Sequence, residues 1–327
     1  MDSPSSSSTH AVSLPESRPG VSSLSYEIHV AAPYRLDLTV SVLRRLPANI
    51  IDRLTFDGQY VRAFEASGGP IIARVTQTRA DSLAVTLDGA SEQHPRALAL
   101  VRRTLGVDRE LAHFNRAAAA IPWLRPLAKR MRGVKPPRYP TLWEACVNAI
   151  VFQQVSLYAA SAILRKMILE VGTPLTLDGR RFYTFPSAKS VQRVADGPLL
   201  AAGLSGRKLA TLRHLGDALL SGELDESMLE DRKSPDALEL LCRIKGIGPW
   251  TATVILLRGL GRLDVFPMND SSVVRNLILV AESSPLDIDA VLRKLGSQKG
   301  MLYYHLLLAR LETRDDIGRA STDSSCL

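Results

Sequence analysis

The chain has 327 residues, 46% of them hydrophobic, and 41 Lys and Arg against 33 Asp and Glu give a formal net charge of +8. That apolar content is enough for one large or two medium folded domains and excludes a wholly disordered chain. The modest positive balance permits an anionic partner without identifying one, and no apolar run reaches the roughly 20 residues of a membrane-spanning helix.

Residues 1–23 begin "MDSPSSSSTH", rich in Ser and Pro and without the basic start and apolar core of an export signal. They read as a disordered tail on a protein expected to stay inside the cell. Residues 24–115 carry the strand signals: "TFDGQYVRAFEA", "GPIIARVTQT" and "SLAVTLDG" are short, alternating or β-branched, and divided by Gly, Asp or Ser. With the helical stretch "HPRALALVRRTLG" they predict a small α/β domain built on an antiparallel sheet. The segment Ile121 to Pro140 carries Arg125, Lys129, Arg130, Arg132, Lys135 and Arg138 and no acid. It reads either as a solvated linker or as a surface facing phosphates.

Over 116–315 the strand signals fade and long amphipathic runs with brief breaks predict an all-helical domain. The first run, "TLWEACVNAIVFQQVSLYAASAILRKMILEVG", opens with Thr141 followed three residues later by Glu144, the spacing of a capping box. Gln153 and Gln154 interrupt its apolar pattern and mark a break or a satisfied buried amide. Residues 316–327, ending "STDSSCL", read as a second flexible tail. The expected class is therefore α+β: a mostly helical body with a small N-terminal sheet domain. Cys146, Cys242 and Cys326 are scattered and no close His or Cys pair occurs, so neither a structural zinc, an iron–sulfur cluster nor another cofactor is expected.

The stretch "LCRIKGIGPWTATVILL" reads as a helix ending at Lys245, a turn Gly246-Ile247-Gly248, and a second helix that starts at Pro249. Such a turn leaves bare amide N–H groups at a helix N-terminus, where an anion such as phosphate binds, and Lys245 adds charge beside it. An ordinary corner between two helices is the alternative. Farther on, Asp270 follows the loop "LDVFPMN" and precedes the helix "SSVVRNLILVAE", the place of an N-cap.

From Leu241 to Asp270 the chain resembles the helix-hairpin-helix motif and the Gly/Pro-rich loop with its Asp that mark the DNA glycosylase superfamily. The stretches "PTLWEACVNAIVFQQVS", "GLSGRKLATL" and "GMLYYHLLLARL" resemble its 3-methyladenine DNA glycosylase II branch, and the likeness runs from about residue 24 to 312. The resemblance implies that Gly246, Ile247, Gly248 and Lys245 grip the backbone of damaged duplex DNA. It implies that carbonyls near the hairpin are able to hold a monovalent cation and that Asp270 is the catalytic carboxylate. Gln154 matches the position whose side chain fills the gap left by the flipped nucleotide, and Tyr158, one turn along, would line the same cleft.

Relatives that also cut the DNA strand carry a lysine where this chain has Trp250, so a hydrolase without lyase activity is expected. An indole face also suits a cationic alkylated purine, although a core aromatic is an equal reading of Trp250. The implied function is base excision of 3-methyladenine and 7-methylguanine by a monomer, in the nucleoid of a bacterium or the nucleus of a eukaryote, with no membrane partner. The alternatives are a monofunctional enzyme for uracil or hypoxanthine and a non-catalytic DNA-binding module.

Overall fold

A computed structural model describes residues 22–65, 69–282, 286–319 and 321. Most of the two tails lies outside the described residues. The N-terminal elements are β1 (Ser22–His29), α1 (Leu36–Arg44), β2 (Arg53–Leu54), β3 (Tyr60–Phe64), β4 (Ile71–Arg79), β5 (Ser82–Gly89) and α2 (His94–Leu105). The strands form one antiparallel sheet in the order β1-β5-β4-β3-β2. Sequence reading found the three central strands and missed β1 and α1. Helix α1, "LDLTVSVLR", has strand-like β-branched residues, but Val40 and Leu43 pack on the sheet while Leu38 and Val42 face the helices beyond it. Burial on two sides outweighs its local propensity.

The rest is helical: α3 (Ala112–Ala119), α4 (Arg125–Arg130), α5 (Leu142–Val151) and α6 (Leu157–Val171). A small hairpin follows, β6 (Pro174–Leu177) and β7 (Arg180–Tyr183). Then come α7 (Ala188–Arg193), α8 (Asp196–Ala201), α9 (Gly206–Ser221), α10 (Glu226–Glu230), α11 (Ser234–Cys242), α12 (Pro249–Arg258), α13 (Ser271–Ala281), α14 (Ile288–Leu295) and α15 (Met301–Glu312). The β6-β7 hairpin, which periodicity did not predict, lays Phe182 over Val61, Ala63 and Ile72 on the outer face of the sheet. It explains why every residue of β3 is buried.

The basic stretch at 121–140 is neither a solvated linker nor a uniform phosphate surface. It folds into α4 and an extended lead to α5, with Leu124, Leu127, Met131 and Val134 in the core. Lys135 Nζ donates to Arg109 O at 2.8 Å, Arg138 Nε donates to Gly259 O at 3.2 Å, and Arg130 pairs with Glu312. The positive charges are largely engaged by the protein itself.

The sheet and the helices are joined by a buried ionic cluster. Arg62, at a core-facing position of β3, places Nη1 2.5 Å from Asp52 Oδ1 and Nη2 2.7 and 2.6 Å from the two carboxylate oxygens of Glu144 on α5. Tyr60 OH donates to the same Asp52 oxygen at 2.8 Å. The predicted capping box is therefore only half formed. Thr141 Oγ1 accepts from Glu144 N at 3.1 Å, but the Glu144 carboxylate is taken by Arg62 instead of returning to the helix start. Residues 316–319 and 321, placed by sequence in a flexible tail, lie against α1 and β2: Arg44 donates to Asp316 O and Arg319 O, and Ser321 N to Leu54 O.

Candidate active site

Three short segments meet where α5, α9, α11, α12 and α13 converge. The first is the turn between α11 and α12. Helix α11 ends at Cys242, three residues before the predicted stop, and Leu241, Ile247 and Val254 are buried where α11 packs on α12. Gly246 has φ +96°, and a Cβ there would lie 2.1 Å from Thr211 Oγ1 on α9, so both the backbone and the neighbouring helix require glycine. Gly248 differs: it caps α12 with φ −97° and ψ 177°, and a Cβ would meet nothing within 4 Å. Pro249 starts α12 as expected. The amides of Gly248, Trp250 and Thr251 point out of this helix end, and none donates to a carbonyl among the described residues. Lys245 is exposed beside them. Free amides and a lysine at one helix end are groups that suit an anion.

The second segment is the start of α13. Asp270 is its N-cap: Oδ1 accepts from Ser272 N at 2.8 Å, Val273 N at 3.3 Å and Ser272 Oγ at 2.5 Å. Its other oxygen, Oδ2, accepts from the Trp250 indole N–H at 3.1 Å. Capping and presentation of a carboxylate are thus compatible, because one oxygen serves the helix and the other faces the indole. Trp250 is half-buried and packs against the helical core.

The third segment is the turn between α5 and α6. Gln154 is exposed at its tip with φ +54°, a left-handed conformation that few non-glycine residues adopt. Gln153, just before it, is turned inward. Its Nε2 donates to Gly246 O at 3.0 Å and to Thr251 Oγ1 at 2.8 Å, tying this turn to the hairpin. Sequence reading took the two glutamines together; backbone geometry sends one out and the other in. Tyr158 is 59% exposed, with the Arg314 guanidinium 5.5 Å above its ring. On the other side of the turn the Arg45 guanidinium sits 4.3 Å above the Phe152 ring, and its Nη2 donates to Tyr303 OH at 3.4 Å. Neither arginine was legible as part of this region, since α1 and the end of α15 are remote from it in sequence.

The structure thus brings Lys245, Gly246, Ile247, Gly248, Trp250 and Asp270 into one locality and sets Gln154 beside it, with Tyr158 one helical turn away. Among the described residues no three His, Cys, Asp or Glu side chains gather into a metal-binding set. The turn's own carbonyls are partly engaged, Ile244 O by Ile247 N and Gly246 O by Gln153, and each keeps a second lone pair. Such neutral oxygen donors suit a monovalent cation.

No family model matches the chain. Among curated proteins it is 27% identical over 171 residues to the DNA-3-methyladenine glycosylase of Bacillus subtilis, covering 52% of this chain and 56% of that protein. It is 32% identical over 177 residues to the probable bifunctional transcriptional activator/DNA repair enzyme AlkA of Mycobacterium tuberculosis, covering 53% of this chain and 34% of that protein. The matches therefore span between 34% and 56% of the length of these relatives.

Among solved structures, a 3-methyladenine DNA-glycosylase from Archaeoglobus fulgidus superposes with a TM-score of 0.73 at 22% identity, over 88% of this chain and 99% of that one. The 8-oxoguanine glycosylase/lyase of Clostridium acetobutylicum, in complex with double-stranded DNA, superposes with a TM-score of 0.69 at 15% identity, over 90% and 98%. The fold is that of the helix-hairpin-helix DNA glycosylases. In sequence the chain is also similar to the DNA-3-methyladenine glycosylase 2 of Escherichia coli, 30% identical over 138 residues that cover 42% of this chain and 48% of that protein.

Proposed function

We propose that the protein is a monofunctional DNA glycosylase that hydrolyses the bond between deoxyribose and an alkylated purine flipped out of duplex DNA. The observation that carries this reading is the pairing of Asp270 with Trp250. A carboxylate is fixed at a helix N-terminus by one oxygen, its other oxygen has an indole for a neighbour, and the second residue after the turn, Trp250, carries no amine. The relatives' names support the substrate class for those proteins. One solved neighbour is a glycosylase/lyase, so the absence of lyase chemistry rests on Trp250 alone.

The turn's amides and Lys245 would hold a phosphate of the damaged strand, a contact independent of sequence. The carbonyls of the same turn are the groups that would hold a monovalent cation, adding positive charge near that phosphate. Gln154 would occupy the space vacated by the flipped nucleotide. The C1′–N bond then breaks with its electron pair passing to the base, which neutralises a purine made cationic by alkylation. The sugar's developing positive charge is opposed by Asp270, water adds to C1′, and its proton passes to Asp270. The Trp250 face adds about 0.5–2 kcal/mol of attraction for a cationic base. The reaction belongs where DNA is, in a nucleoid or a nucleus.

A second reading, excision of neutral deaminated bases, is favoured by one feature. Phe152 and Tyr158, which flank the Gln154 turn, are already faced by the guanidinium groups of Arg45 and Arg314, which disfavours a second cation there. The test is chromatography of bases freed from methylated duplex DNA and from duplexes containing uracil or hypoxanthine, with wild type beside Asp270→Asn. Release of 3-methyladenine or 7-methylguanine by wild type alone supports the first reading, and release of uracil or hypoxanthine alone supports the second. Release of none leaves a DNA-binding module. A covalent complex trapped by borohydride on any of these duplexes overturns the monofunctional assignment.

A further inference from the structure

The stretch "GLSGRKLATL" has no part in the chemistry above, yet it places a lysine at the centre of the site's framework. Lys208 lies in the first turn of α9, half-buried, with Ser205 capping the helix. Its ammonium donates to Val151 O and to Gln153 O, both at 2.8 Å, at the end of α5. These carbonyls belong to the helix end that α5 leaves without intrahelical partners, the favoured place for a cation. One turn along the same helix, Thr211 abuts Gly246 so closely that a side chain there is forbidden. Gln153 closes the circuit from the other direction through Gly246 O and Thr251 Oγ1. The turn bearing Gln154, the hairpin and the start of the helix bearing Trp250 are therefore bolted to one another through two side chains and one face of α9.

We infer that Lys208 and Gln153 are positioning residues that set the register between the Gln154 wedge and the hairpin grip. This rests on the base-flipping reading of the preceding subsection. Gripping a phosphate needs only the hairpin, and filling the gap in the duplex needs only Gln154. Doing both on one DNA molecule requires the two to stand a fixed distance apart. Gln154 itself makes the need acute: it sits in a left-handed conformation on a short turn, and such a conformation persists only where neighbouring contacts over-determine it. Lys208 holds the main chain on the near side of that residue, at Gln153 O. Its ammonium has these two carbonyls as its hydrogen-bond partners, and partial burial pulls its pKa below the ordinary lysine value. The lysine does not face outward as a phosphate contact would.

The test is binding, which does not depend on identifying the damaged base. Dissociation constants are measured for an intact duplex and for the same duplex carrying a tetrahydrofuran abasic analogue, using wild type, Lys208→Met, Lys208→Arg, Gln154→Ala and the Lys208→Met/Gln154→Ala double variant. We expect Lys208→Met to bind intact duplex nearly as wild type does and to lose about tenfold of the preference for the abasic duplex, with the double variant no worse than Gln154→Ala alone. Lys208→Arg should recover most of the loss, since a guanidinium can serve both carbonyls. Retention of the preference by Lys208→Met, multiplication of the two single losses, or equal weakening on both duplexes would each overturn the inference. If Lys208→Met melts far below wild type, Gln153→Met, which cuts the bolt from the other end, carries the same expectation. A wild-type protein without any abasic preference would instead sink the glycosylase reading itself, a separate outcome.

Discussion

The two hairpin glycines should respond to substitution in opposite ways. At Gly246 the left-handed backbone imposes about 1–2 kcal/mol on any residue with a Cβ. The collision with Thr211 Oγ1 at 2.1 Å adds an overpacking term of about 1–3 kcal/mol. Gly246→Ala should therefore destabilise the protein by about 3 kcal/mol, a fall in melting temperature of roughly 4–5 °C for a chain of this size. At Gly248 the extended backbone suits any residue and the space beyond is open. Gly248→Val should fold to within about 1 kcal/mol of wild type, the difference between glycine and a poor N-cap. Yet the valine would stand where a phosphate approaches the bare amides, and loss of that contact should weaken binding to all duplexes about tenfold, or 1.4 kcal/mol. Because no charge is removed, the dependence of affinity on salt should keep its slope, whereas Lys245→Ala should reduce it by about 0.9. Calorimetry and fluorescence anisotropy at several salt concentrations read both effects. A stable Gly248→Val that binds like wild type, or loses affinity for one lesion only, would refute the phosphate-grip argument. An unaltered melting temperature for Gly246→Ala would refute the steric one.

Replacing Arg62 by Met strands Asp52 and Glu144 in the interior and should destabilise by about 3–5 kcal/mol, read as a lowered urea midpoint; a smaller loss would mean that water reaches the cluster. Asp270→Asn should melt within about 1 kcal/mol of wild type, since an amide oxygen can still cap α13, while base release falls by at least a hundredfold; intact release would remove Asp270 from the chemistry. His305 is buried beside Phe114, and desolvation lowers its pKa from 6.5 to about 4. The unfolded chain takes up this proton first, so stability present above pH 6.5 is lost as pH falls toward about 4, by about 3 kcal/mol in all. Burial holds Glu144 above the usual carboxylate range, which works in the opposite sense. The check is therefore the difference between wild type and His305→Gln across pH 4 to 7. Equal pH slopes in the two proteins would end the argument.

Much of the candidate site was legible in the sequence because its parts lie close along the chain. The turn at 246–248, Pro249 at the start of α12, and Asp270 at the start of α13 follow from local rules about what glycine, proline and aspartate do at helix ends. The three central strands were legible for the same reason, through a period-two pattern bounded by turn residues. Local rules also misled: they offered a solvated linker or a phosphate-facing surface where α4 packs into the core, and a full capping box at Thr141. Each time a partner distant in sequence decided the outcome, as Arg62 did by taking the Glu144 carboxylate.

What tertiary structure alone decided is how the local pieces stand relative to one another. No periodicity brings the Trp250 indole to Oδ2 of Asp270, sends Gln153 inward while Gln154 points out, or sets Lys208 under the end of α5. Nor does any motif place Arg45, directly after the first helix, over Phe152. These are contacts between segments tens to hundreds of residues apart, fixed by how the helices pack around their shared core. The sequence determined which residues can carry charge, cap a helix or turn a chain, because those properties belong to the residue and its nearest neighbours. The packing determined which of them meet, because meeting is a property of the whole fold.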